Sequence, residues 1–187
     1  MALENCFRIL CVCTGNICRS PAAERLLAAR LGPDVEVTSA GTYALVGQPI
    51  SPPMDQLVRD AGAEPDGFTA RRLTERLVQP ADLVLALTRA HRGDVAELWP
   101  KAVRRTFTLK EFARLLGEVD PAALPDGSPG ERLRAAVPML AAHRRQVTDL
   151  SLDDVVDPYR QGAELYGQAF ADIEQAVTAI VSVIRPR

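Results

Sequence analysis

No cysteine follows residue 18, and the four present, Cys6, Cys11, Cys13 and Cys18, crowd into the N-terminal end of the chain. Cysteines gathered at one end cannot staple a whole domain, so a disulfide framework is excluded and metal binding or thiol chemistry is expected. Lysine is nearly missing: Lys101 and Lys110 are the exceptions among 22 basic residues that are otherwise Arg, a compositional bias that carries no mechanism. Histidine occurs twice, as His91 and His143, each within Arg-rich helical sequence where a surface position is expected. No stretch approaches the ~18 uninterrupted apolar residues of a membrane helix. Around Glu4 and Arg8 the sequence has neither the basic start nor the small-residue cleavage site of a signal peptide, and a cytoplasmic location is expected. Charge of one sign is lacking too, since 22 basic and 24 acidic residues sum to −2. Such a chain has no general basic field for nucleic acid or an anionic membrane, so any anion site must be local.

What is present fits an ordinary globular domain: 47% hydrophobic and 25% charged residues in a chain of 187, enough for one sizeable core spanning residues 1–187. Phe7 to Cys13 (FRILCVC) is a short continuous apolar run, the pattern of a strand buried on both faces of a parallel sheet. The turn TGN follows, then Ser20-Pro21 reads as an N-cap with Pro at the first helical position, and AAERLLAARL continues as helix until Gly32-Pro33. Further strands are expected at Val35 to Ser39, Asp82 to Thr88 and Val103 to Leu109, with a helix over Met54 to Ala61. Tyr166, Phe170, Ile173, Val177, Ile180 and Ile184 recur at spacings of four and three, one apolar face of a long closing helix. Alternating strands and helices predict an α/β fold, an open parallel sheet of about four strands with helices on both faces and a phosphate-binding loop after the first strand. Ligands of such sheets sit beyond the carboxyl ends of the strands, where Cys13 stands. The pattern lapses around 118–150, which reads as an inserted loop, flexible at 120 to 130, plus an extra helix interrupted by Pro138.

Cys13 is followed after five intervening residues by Arg19, a pair that chance alone supplies roughly 0.4 times in such a chain. The context is what sharpens it. A buried strand delivers Cys13 to the sheet edge, Gly15 and Asn16 allow unusual backbone angles, and a helix begins directly after the loop. A loop wrapped between cysteine and helix start aims successive amides inward as a nest for a tetrahedral oxyanion, and Arg19 adds a planar fork. The same positive potential favours a thiolate at Cys13, placing nucleophile and anion site together.

The run CVCTGNICRSPAAE resembles the signature of the low-molecular-weight protein tyrosine phosphatases at Cys13, Gly15, Asn16, Ile17, Cys18, Arg19, Ser20 and Pro21. SAGT at Ser39 to Thr42, TARRLT at Thr69 to Thr74, ADLVLALT at Ala81 to Thr88 and DPY at Asp157 to Tyr159 extend the likeness over most of the chain. The resemblance implies hydrolysis of phosphotyrosine through a phosphocysteine, with Cys13 as nucleophile, Arg19 and the amides of Thr14, Gly15, Asn16, Ile17 and Cys18 holding the phosphoryl oxygens, and Asp157 as general acid. It also implies that Ser20 donates to the thiolate, that Asn16 locks the loop through Ser39, and that Tyr159 faces the substrate ring. No cofactor or metal is implied. The implied partner is a phosphotyrosine-containing protein, a tyrosine kinase among the possibilities, with phosphate or other oxyanions filling the same loop. Two departures from the family stand out: Phe68 occupies the place of a His that bonds the loop Asn in many relatives, and Arg160 replaces a second aromatic after DPY.

Other chemistries fit less well. A four-thiolate zinc site would use Cys6, Cys11, Cys13 and Cys18, but their spacing lacks paired knuckles and leaves Arg19 unexplained; Cys6 and Cys11 read as small buried hydrophobes. Cys18 sits within the loop, placed to trap an oxidised Cys13. Thioredoxin-coupled arsenate reductases on this fold relay a disulfide through further cysteines, of which there are none after Cys18, and thiol-coupled relatives usually have a loop worded differently from GNICRS. A silent phosphotyrosine-binding module would be expected to lose the nucleophile or the acid. Protein arginine phosphatases of the same family are the nearest alternative; they tend to carry Thr where this chain has Ile17, which is expected to project toward the pocket wall. Asp120-Pro121 duplicates the Asp-Pro pair in a solvated setting, and Asp153 and Asp154 read as surface charge.

Overall fold

The computed structural model describes residues 6–142, 144 and 150–185. Strand β1 (Phe7–Cys13) is the spine: it pairs in parallel with β2 (Val35–Gly41) on one side and β3 (Leu83–Ala86) on the other, and β4 (Thr106–Thr108) completes the order β2-β1-β3-β4. Every strand runs the same way, so all four carboxyl ends meet along one edge.

The continuous apolar runs are explained by two cores, one on each face. Phe7, Ile9, Cys11 and Cys13 of β1 join Leu83 and Leu85 in the larger core, while the alternate residues Leu10, Val12 and Val84 join the smaller. The larger is closed by α1 (Arg19–Leu31), α2 (Met54–Asp60), α5 (Leu109–Gly117), α6 (Pro129–Ala142) and α7 (Ala163–Ile184); the smaller by α3 (Glu75–Val78) and α4 (Arg89–Leu98). All six residues expected on the apolar face of the closing helix are buried in α7.

Several elements differ from their sequence readings, each for a local reason. The strand expected at Val103 to Leu109 shrinks to three residues, because Pro100–Arg105 forms a 3-10 helix and Thr108 starts α5. Thr108 Oγ1 accepts from the Glu111 amide while Glu111 takes the Thr108 amide, a capping box that ends the strand. Helix α6 runs unbroken through Pro138. Proline removes one backbone bond, and the burial of Leu133, Val137 and Leu140 holds both halves in line. The stretch before α6 is tied down: Leu124 is buried, and the Arg132 guanidinium donates to the carbonyls of Pro121, Pro125 and Val183. Ser20, finally, is not the cap of α1; the helix begins at Arg19 with Cys18 preceding it, which frees the Ser20 hydroxyl for the loop.

Candidate active site

Beyond the carboxyl end of β1, residues 14–18 wrap into a loop that returns as α1. The chain on its far side holds the loop by its carbonyls: the amides of Thr42, Tyr43, Leu45 and Ser51 donate to the carbonyls of Cys13, Thr14, Gly15 and Ile17 at 2.7 to 3.0 Å. With the carbonyls turned outward, the amides of Gly15, Asn16, Ile17, Cys18 and Arg19 have no backbone acceptor among the described residues. That is the nest an oxyanion needs.

Two residues make the tight wrap possible. Asn16 adopts a left-handed backbone (φ 54°), whereas Gly15 does not take a positive φ. Gly41, the glycine of SAGT, lies so close that a Cβ there would strike the Thr14 carbonyl oxygen and come within 3.0 Å of the Asn16 amide nitrogen. The buried Asn16 side chain then fastens the loop at three points. Its Nδ2 donates to Ser20 Oγ (2.9 Å) and Ser39 Oγ (2.8 Å), and its Oδ1 accepts from the Arg71 amide (2.8 Å). The Ser39 hydroxyl donates to Glu24 Oε2 at 2.6 Å. Burial raises the Glu24 pKa, against the pull of Ser39, Arg25 and Arg71. Phe68 bonds nothing in this network; its ring lies under the Arg25 guanidinium instead.

Cys13 Sγ is 3.0 Å from Ser20 Oγ, and because that hydroxyl already accepts from Asn16 its own proton is available to the sulfur. Cys18 is a different thiol: burial above all pushes its pKa up to about 11, and it sits 3.7 Å from the Tyr166 hydroxyl. Cys11 is fully buried and its pKa is also raised by burial. Among the described residues no group of three His, Cys, Asp or Glu is arranged to hold a metal.

Arg19 is 4% exposed, its guanidinium fixed by Nη1 to the Val155 carbonyl (3.1 Å) and by Nη2 to Asp157 Oδ2 (2.8 Å). Asp157 itself is half exposed, at the rim. The structure therefore brings Cys13, Arg19 and Asp157 to one cleft, whose walls are Ile17, Tyr43, Leu45 and Tyr159. Tyr43 and Leu45 carry no signal in the sequence, where they are simply residues beyond SAGT.

The segment carrying Asp157 is anchored upstream. Asp154 accepts from the Arg89 amide at 2.7 Å and from its guanidinium; partial burial opposes ionisation, but these bonds outweigh it and hold the carboxyl below the usual range. Val155 donates to the Leu87 carbonyl at 2.9 Å, and Asp153 is buried against Arg114. Asp153 and Asp154 are thus internal ties and not surface charge. Asp120 is exposed and caps a short 3-10 helix through the Ala122 amide, with no part in the cleft.

His91 corrects the sequence reading most. It is buried, and its ring bridges Thr88 Oγ1 and Thr14 Oγ1, a loop residue. Proximity in the fold, invisible in a lone His of an Arg-rich helix, is the only signal that finds it. His143 lies outside the described residues.

Residues 8–128 match the family model for low molecular weight phosphotyrosine protein phosphatase. The chain belongs to the low-molecular-weight protein tyrosine phosphatase family. It is similar to a protein-arginine-phosphatase of Geobacillus stearothermophilus, with 40% identity over 130 residues, 70% of this chain and 86% of the relative. It is also similar to the low molecular weight protein-tyrosine-phosphatase Etp of Escherichia coli, with 37% identity over 60% of this chain and 76% of the relative. Among solved structures, the YwlE arginine phosphatase of Geobacillus stearothermophilus superposes with a TM-score of 0.70 at 30% identity, covering 94% of this chain and 91% of the other. This family's sheet, with its loop after the first strand, is the frame on which the cleft is built.

Proposed function

We propose that the protein hydrolyses phosphotyrosine in protein substrates by two displacements at phosphorus. The observation that carries this reading is the cleft itself: an anion-binding loop and Arg19 surround Cys13 at the base, and the apolar and aromatic walls above it suit a phenyl ring. The Cys13 thiolate attacks phosphorus, forming the S–P bond as the P–O bond to the ring breaks, and Asp157 gives its proton to the departing phenolate oxygen. Water then attacks the phosphocysteine; Asp157 takes its proton, the S–P bond breaks and phosphate leaves with the thiolate restored. The Ser20 hydroxyl stabilises the thiolate before the first step and again after the second. A bound phosphoryl group displaces the Asp157 carboxylate from Arg19, which takes up two phosphoryl oxygens; the freed carboxylate accepts a proton from the monoanionic phosphoryl group or from water and, as the acid, delivers it to the ester oxygen.

The likeness to arginine phosphatases gives a second reading, dephosphorylation of phosphoarginine by the same cysteine chemistry. Ile17 favours the first. It lines the cleft with an apolar surface that suits a phenyl ring and offers no hydroxyl to receive a guanidinium. Ile17→Thr is expected to raise the phosphoarginine-to-phosphotyrosine ratio of kcat/KM by about 10–200-fold, the span of a small change in an apolar pocket. The test is to compare phosphotyrosine and phosphoarginine peptides on both proteins. Wild-type protein that cleaves phosphoarginine faster would reverse the substrate assignment.

A further inference from the structure

The first turn of α4 meets the phosphate-binding loop through a single ring. His91 Nδ1 lies 2.9 Å from Thr88 Oγ1, and Nε2 lies 2.8 Å from Thr14 Oγ1. Burial first, and the nearby Arg19 charge second, lower its pKa to about 4, with Asp157 and Asp154 pulling weakly the other way. At neutral pH the ring therefore carries one N–H and one bare nitrogen, and both of its partners are hydroxyls that own a proton.

Only two proton orders satisfy this chain. In one, Nδ1–H donates to Thr88 and the Thr14 hydroxyl donates to Nε2, which leaves Thr14 with only lone pairs to offer the cleft. In the other, the Thr88 hydroxyl donates to Nδ1 and Nε2–H donates to Thr14, whose own proton is then free. Thr88 Oγ1 also accepts from the His91 backbone amide at 3.3 Å, and it has the capacity for either order. An anion in the cleft separates them, because Thr14 lines that cleft. Lone pairs facing a phosphoryl oxygen repel it, whereas a hydroxyl donor forms a charge-assisted bond.

We propose that His91 is a positioning residue which, as the Nε2–H tautomer, fixes Thr14 so that its hydroxyl donates to a phosphoryl oxygen held in the loop. This rests on the phosphatase reading for its purpose but on oxyanion binding alone for its test, since inorganic phosphate reports on the loop whichever phosphorylated residue is the substrate. A merely structural histidine would act through folding, with no dependence on Thr14. The proposed role ties the two residues together.

The experiment is calorimetric binding of inorganic phosphate to the full chain, with the ring nitrogens followed by 15N spectroscopy. Thr14→Val removes the donor without changing shape and is expected to weaken phosphate by about 10- to 100-fold, the range of a lost hydrogen bond to a charged group. His91→Leu should match it, and the double variant should be no worse than Thr14→Val alone. His91→Gln places an amide N–H near the position of Nε2 and is expected to bind phosphate within about threefold of wild type. With phosphate bound, the proton should reside on Nε2. Unchanged phosphate affinity in Thr14→Val, a proton on Nδ1 with phosphate present, or His91→Gln as weak as His91→Leu would overturn the proposal. If His91→Leu does not fold, Thr14→Val and the ring spectrum decide between the same outcomes. A wild-type protein that shows this binding pattern yet cleaves neither phosphotyrosine nor phosphoarginine would overturn the proposed function and leave the positioning role standing.

Discussion

Cys13→Ser is expected to lower hydrolysis of phenyl phosphates by more than about 10⁴-fold while inorganic phosphate binds within about tenfold of wild type. The two halves of that result come from different atoms. Sγ supplies the electron pair that forms the intermediate, and a serine hydroxyl in its place stays protonated and cannot do so. The amides of residues 15–19 and the Arg19 guanidinium belong to the backbone wrap and to the bonds through Asn16 and Val155, which the substitution leaves intact. Thiolate formation alone explains little of the rate: a free thiol of pKa ~8.5 is already ~3% ionised at pH 7, so full ionisation gains at most about thirtyfold. Phosphate-ester hydrolysis needs far more, and the preorganised donors must supply it. Steady-state turnover and phosphate calorimetry on the variant check both halves. Turnover within a hundredfold of wild type would remove Cys13 from the mechanism, and lost phosphate binding would show that the sulfur also holds the loop in shape.

The parts of the fold legible in the sequence are those that bury both faces at once. FRILCVC marks β1 to the residue, because a strand inside two cores admits little polar interruption, and the four-and-three spacing of α7 is equally plain. The shortened β4 is hidden because a Thr-x-x-Glu capping box looks like a polar strand edge until the helix after it is known. The cleft is readable where its chemistry lies along the chain, from Cys13 to Arg19. Tyr43, Arg89 and His91 reach it or its supports from other elements, and no local pattern marks them; Glu24 and Arg71 fall inside the family-like runs, but their bonds to Ser39 and Asn16 are made only by the fold. The charged neighbours Arg89 and Arg92 make His91 read as a surface residue, yet both arginines are engaged by carboxylates from elsewhere in the fold, Asp154 and Glu111. Charge along the chain therefore marks an ion-paired seam here, and the ring beside it turns inward to the loop.

Asp157→Ala is expected to lower kcat for phenyl phosphates by about 10²–10⁴, the contribution of a positioned general acid, with the loss shrinking as the leaving group improves. A nitrophenolate departs without a proton, so its release should depend little on Asp157, whereas an unsubstituted phenolate depends on it fully. The ion pair adds a second signature. Asp157 Oδ2 lies 2.8 Å from Arg19 Nη2, so an incoming phosphoryl group must take the guanidinium from the carboxylate and meets a negative charge at the rim. Removing that charge should tighten inorganic phosphate even as turnover falls, a split between binding and kcat that a simple loss of folding cannot produce. Asp120→Ala, at the other Asp-Pro pair, removes only an exposed cap on a 3-10 helix and should leave both quantities unchanged. The measurement is a leaving-group series with phosphate inhibition on wild type and both variants. An Asp157→Ala loss that is the same for nitrophenyl and phenyl esters would reassign the acid, and weaker phosphate binding would mean that Asp157 holds Arg19 in place instead of competing for it.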